Sequence, residues 1–161
     1  MTVREEIGEL VKRHEIELDR FCQVLAEEAE EVEFRLTHYF REDFIHRTDG
    51  ISRHIRSDLR QITPIAFEGN NTDDWLDFCE YAVGFFEKGS RAYLCIPDDG
   101  VTVIYNGALP EISAVIGYGT PIGFEDGDFV IVSESYDRLL WYEGENDMIG
   151  VVYNSKNKIR N

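Results

Sequence analysis

The 161-residue chain reads as an α+β fold, with N-terminal helices and a helix at 72–88 packed on an antiparallel β-meander of five or six strands. Three observations predict this. Between Glu9 and Asp49 there is neither glycine nor proline, and apolar residues recur at steps of three and four. After Gly89 the apolar period drops to two, and β-branched and aromatic residues dominate. The turns between those later runs look too short for crossover helices, which leaves antiparallel pairing. The length suits one domain, 1–161, divided into a helical segment (1–60), a loop plus helix (61–90) and a sheet (91–155).

In the first segment Val3, Ile7, Leu10, Val11, Leu18, Phe21, Val24, Leu25, Val32, Leu36 and Phe40 form the apolar series. A single helix over 9–49 would be about 60 Å long. A globule of this size is about 40 Å across. The spacing therefore predicts a bent helix or a packed helical pair, with a projecting dimerisation arm as the other solution. Asp49-Gly50 is the first stop, and Ile51–Arg60 reads as a short helix presenting Arg53, Arg56 and Arg60. Thr63-Pro64 begins extended chain, and Gly69-Asn70-Asn71 is a loop.

Asn71 or Thr72 can cap the next helix, whose first turn carries Asp73 and Asp74. Trp75, Leu76, Cys79, Ala82, Val83 and Phe86 give it one apolar face, and Lys88-Gly89 closes it. Strands are then expected at Arg91–Ile96, Val101–Tyr105, Ile112–Gly117, Phe129–Glu134, Leu139–Glu143 and Met148–Tyr153. Asp- and Gly-containing turns at 97–100, 106–107, 125–128 and 144–147 separate most of them.

Charge sets the class of function. There are 32 acids against 16 bases, a net charge of −16. Residues 1–60 carry −5, residues 61–155 carry −14 with only Lys88, Arg91 and Arg138 as cations, and the tail restores +3. Such a field repels nucleic-acid phosphates and anionic membranes and attracts basic proteins. No apolar run approaches the ~20 residues of a membrane span, and four charges within Met1–Leu10 do not fit a secretory signal. Three cysteines without a CxxC spacing suit a reducing compartment, so a cytoplasmic protein is expected.

Chemical motifs are sparse. His38, His46 and His54 are spaced by eight and do not converge on a helix, and Glu42 or Asp43 with His46 is too little for a di-metal centre. Glu27, Glu28, Glu30, Glu31 and Glu33 read as a solvated helix face. There is no GxSxG elbow, Cys79 and Cys95 sit in apolar contexts, and no lysine follows Gly117-Tyr118-Gly119-Thr120. Glu125, Asp126 and Asp128 lack the twelve-residue loop of a calcium site. Neither cofactor nor metal is expected, and no catalytic residue.

What remains is acidic. Asp98, Asp99, Glu125, Asp126, Asp128, Glu143, Glu145 and Asp147 lie at strand junctions, where alternate turns of a meander share a rim. Ordinary turn preference for Asp accounts for part of this pattern; it does not account for the scarcity of Lys and Arg alongside. Trp141 and Tyr142 are neighbours on a strand and point to opposite faces, so one of them is expected to face outward as an anchor for a partner. These ten residues form the expected partner-binding set.

Residues 117–153 contain Pro121-Ile122-Gly123, Gly127-Asp128-Phe129-Val130-Ile131, Leu140-Trp141-Tyr142 and Gly150-Val151-Val152-Tyr153. This run resembles the later strands of the SUKH superfamily of bacterial toxin-immunity proteins, over less than a quarter of the chain. The resemblance implies a protein that binds and blocks a cognate toxin, often a basic nuclease. The expectation is thus an acidic, non-enzymatic binding protein that neutralises a basic protein partner. A monomer is favoured, with residues 1–46 as the route to a homodimer. The competing readings are a DNA-mimic inhibitor of a nucleic-acid-binding protein and a hydrolase with carboxylates in an acidic cleft.

Overall fold

The computed structural model describes residues 2–41, 54–69, 71–98, 100–119 and 127–154. The chain runs α1 (Val3–Arg13), β1 (Phe21–Gln23), α2 (Ala26–Phe40), β2 (Arg60–Ala66), α3 (Thr72–Val83), β3 (Arg91–Asp98), β4 (Val101–Ala108), α4 (Leu109–Gly119), β5 (Phe129–Ser133), β6 (Arg138–Glu143) and β7 (Met148–Tyr153). The α+β class holds. Every strand pair is antiparallel, in one seven-stranded sheet of order β1-β4-β3-β5-β6-β7-β2.

The helical first segment breaks in two where Glu15 adopts a left-handed backbone (φ 53°), after His14 has capped α1. Thr2 and Glu5 form a reciprocal capping box at the other end of α1. The two helices do not pair with each other. Val3, Ile7 and Leu10 of α1 join α3 and α4 on one face of the sheet, whereas Val32, Leu36 and Phe40 of α2 cover the opposite face. Between them β1 is an added edge strand. Phe21 lies opposite Gly107 and stacks on Tyr105 at 5.0 Å. A Cβ on Gly107 would come within 2.7 Å of the Phe21 ring, so glycine there is what admits β1.

Arg60 does not end a helix. It opens β2, which pairs with β7, and the register shifts between Ile62 and Ile65, across a proline that offers no ladder N–H. Ile55 instead forms an isolated bridge with Arg41, and the expected helix residue Arg53 lies outside the described residues. Asn71 is the cap of α3, its side chain accepting from Asp74 N at 2.9 Å. The helix ends at Val83, short of the expected 88, and the apolar face continues through a turn that still buries Phe86. Gly89 (φ 83°) then leads into β3.

The segment expected as a strand at Ile112–Gly117 is helix α4. Pro110 in its first turn needs no backbone N–H there, and Ile112, Val115 and Ile116 recur at helical spacing. Their β-branched character mimics a strand because α4 is buried from several sides. A Cβ on Gly117 would sit 2.5 Å from Leu76 Cδ2, so α3 and α4 pack at close range, joined by the Trp75 indole N–H donating to Ile116 O at 3.1 Å. Helix α4 is a crossover, contrary to the expectation that the connections are too short for one. It carries the chain from β4 past β3 to β5, which places β4 and β5 parallel on either side of β3. Strands β5, β6 and β7 then follow as a meander.

Candidate functional site

Both faces of the sheet are covered, and this decides the fate of Trp141 and Tyr142. Trp141 is 6% exposed beneath α2, and Tyr142 is 2% exposed against Trp75 and Phe129 on the other side. Neither faces outward; the expected exposed anchor is corrected. Alternation did send the two rings to opposite faces, but a second helical layer meets each one.

The shared rim does exist. The pairings Asp98–Val101, Phe129–Tyr142, Glu143–Met148 and Ala66–Met148 place Asp98, Asp128, Glu143, Glu145 and Asp147 at one end of the strands. Asp99, Glu125 and Asp126 lie outside the described residues. Several rim carboxylates serve their own turns. Asp128 Oδ1 accepts from Gly144 N at 2.8 Å, Asp147 Oδ1 from the Tyr142 hydroxyl at 2.9 Å, and Glu143 Oε2 from Asn146 Nδ2 at 3.0 Å. Burial, then the bond to Asp147, pushes the Tyr142 phenol upward, so it stays a proton donor. Near Asp98, burial raises the Glu6 carboxyl, and the charges of Asp98 and Glu9 add to the effect.

The opposite end of the sheet holds arginines. Arg91 Nε donates to Asn106 Oδ1 and its Nη1 to Asp19 O, both at 2.9 Å. Arg20 grips Glu111 through Nε at 2.7 Å and Nη2 at 3.2 Å. Arg138 Nη1 donates to Phe85 O at 2.8 Å, and Arg60 lies 4.8 Å over the Tyr153 ring. At the β5–β6 turn the Ser133 and Ser135 hydroxyls donate to Asp137 Oδ1 at 2.7 and 2.6 Å. Burial works to raise the Asp137 carboxyl, but the hydrogen bonds from Ser135 and Ser133, with the Arg138 charge, outweigh it and hold it below its ordinary value. A cleft of about 370 Å³ opens beside this turn.

A larger groove, about 540 Å³, lies between α2 and the sheet. Glu27, Glu28, Glu31, Val32 and Arg35 line it from α2, with Leu25 at the helix start; Tyr93 of β3, Glu134 and Tyr136 line it from the sheet side. Residues 28, 31, 32 and 35 share one helix face; Glu27, Glu28 and Glu31 are solvent-exposed, as the sequence suggests, and in addition line a concave surface. Glu27 and Glu28 also complement the N-terminus of α2, which has no side-chain cap. Burial, then the charge of Glu28 and a hydrogen bond to it, pushes the Tyr93 phenol up to about 12. Tyr136 has a left-handed backbone (φ 58°), costly for an aromatic residue, and its ring stacks with Tyr93 at 6.3 Å. Arg35 pairs with Glu31 at 2.7 Å and lies 5.5 Å over the Tyr136 ring.

The groove was not legible as a site, because Tyr93, Glu134 and Tyr136 read as ordinary strand and turn residues. His14 stacks on Tyr118 and His38 on Phe34; His46 lies outside the described residues. Among the described residues no group of three His, Cys, Asp or Glu could hold a metal ion, and no helix is long and apolar enough to cross a membrane. Of the residues behind the family resemblance, 127–131, 140–142 and 150–153 fall in or beside β5, β6 and β7, and 121–123 lie outside the described residues. No family model, no curated protein and no solved structure matches the chain.

Proposed function

We propose that the chain is an acidic binding protein that, as a monomer in the cytoplasm, neutralises a basic protein partner: an immunity protein occluding a cognate bacterial toxin such as a nuclease. The observation that supports this reading is where the cations are spent. Arg20, Arg35, Arg56, Arg91 and Arg138 are engaged by carboxylates, amides or carbonyls of their own chain. The described strand ends of the rim carry five carboxylates and neither Lys nor Arg. An acidic field of this kind steers cationic partners.

The test is capture of the partner from the native host, followed by association kinetics with the purified pair. The partner is expected to be rich in Lys and Arg and to lose its activity in the complex. Association should slow about tenfold or more between low and high salt, and Glu145→Lys should slow it further. An acidic partner, or association indifferent to salt, would overturn the reading.

A further inference from the structure

We propose that the groove between α2 and the sheet is the pocket that receives an arginine side chain of the basic partner; this rests on the reading of the chain as a receptor for a basic protein. A guanidinium asks for carboxylates in its plane and an aromatic ring across its face. The groove already meets both demands for one guanidinium of its own chain, since Arg35 pairs with Glu31 and lies over Tyr136. Alongside stand Glu27, Glu28 and Glu134, with the stacked rings of Tyr93 and Tyr136 between helix and sheet. Glu134 accepts from Asn106 Nδ2 at 2.8 Å and Glu28 from Tyr93. A carboxylate offers about four lone-pair positions, so both retain acceptors for an incoming fork.

The volume, about 540 Å³, is in the range of sites that enclose a ligand group. Charge complementarity selects the occupant: four carboxylates face a single internal arginine among the lining residues. Arginine is favoured over lysine because an ammonium cannot stack as a plane or bond bidentately. The rim supplies carboxylates alone, because the rings at those strand ends, Phe129 and Tyr142, are both buried.

The probes are hexa-arginine and hexa-lysine peptides, titrated by calorimetry and by amide chemical shifts at moderate salt. Hexa-arginine should bind about fivefold or more tightly than hexa-lysine, shifting Glu28, Tyr93 and Tyr136. Glu28→Gln with Glu134→Gln should weaken it about tenfold, and Asp98→Asn with Glu145→Gln, an equal charge change on the rim, less than about twofold. Glu28→Gln alone, a single exposed substitution, gives the same ordering should the double variant lose its fold. Equal weakening by groove and rim variants, or equal binding of the two peptides, overturns the pocket while leaving the acidic receptor standing. Failure of both peptides to bind even at low salt overturns the receptor reading and the pocket with it.

Discussion

Replacing Gly150 by alanine tests the packing that removes Trp141 from the surface. Gly150 on β7 lies directly opposite Trp141 on β6, and the indole rests over it. A Cβ at position 150 would come within 2.7 Å of Trp141 Nε1 and nearer still to two ring carbons. Carbon atoms settle at about 3.5–4.0 Å, so the ring must retreat by more than about 1 Å. Its retreat is blocked by the cluster of Val32, Leu36 and Phe40 from α2. Overpacking of this kind should cost about 2–3 kcal/mol. In a domain of this length that lowers Tm by about 4–12 °C. Urea unfolding followed by far-UV circular dichroism should show the midpoint falling with m unchanged. In a Trp141→Leu background the added methyl has room, and its cost should drop below about 0.5 kcal/mol, a coupling of about 2 kcal/mol. A Gly150→Ala variant as stable as the parent, or an equal cost in both backgrounds, would refute the argument and return Trp141 to the candidates for an exposed anchor.

Two further outcomes follow from buried titratable groups. The Asp137 carboxyl is lower in the folded chain than its unfolded value near 3.9, so its contribution is full above that value and is lost as pH falls through the folded one. Asp137→Asn should cost about 1–2 kcal/mol at neutral pH and flatten the acid limb of the stability profile; an unchanged limb would show that the two serine bonds do not hold the charge. Cys79 and Cys95 are buried, and burial drives both thiols well above their usual range, whereas Cys22 is half-buried. A disulfide reagent at mildly alkaline pH should therefore titrate one thiol in the native protein and three in denaturant, and rapid reaction of two in the native state would contradict the placement of α3 or β3.

Much of the fold was written locally. The cap at Asn71, the apolar face of α3, and the β-branched and aromatic runs of β3 to β7 are patterns within a few residues, which a single sequence displays directly. Within β5 to β7 the common rim was legible for the same reason, because tight turns join those antiparallel strands; Asp98 joins it through the β3–β5 pairing, which the α4 crossover sets up. The errors share a cause. Ile112–Gly117 carries strand-like residues in a helix because its apolar neighbours come from α1, α3 and the sheet, and burial on several sides erases the amphipathic period. Residues 21–23 became an edge strand because Gly107, more than eighty positions away, leaves space for Phe21.

The sequence by itself determined the class, the antiparallel pairing, the three-cysteine inventory and a negative charge concentrated after residue 60. Only the tertiary structure decided which carboxylates face a cavity, which arginines are already engaged, and that Trp141 and Tyr142 are both inside. The reason is physical. Charge and periodicity are sums over near neighbours, but concavity and burial depend on which layers meet, and here α2 crosses to the second face of the sheet, where it hides Trp141 and builds the groove with Tyr93, Glu134 and Tyr136.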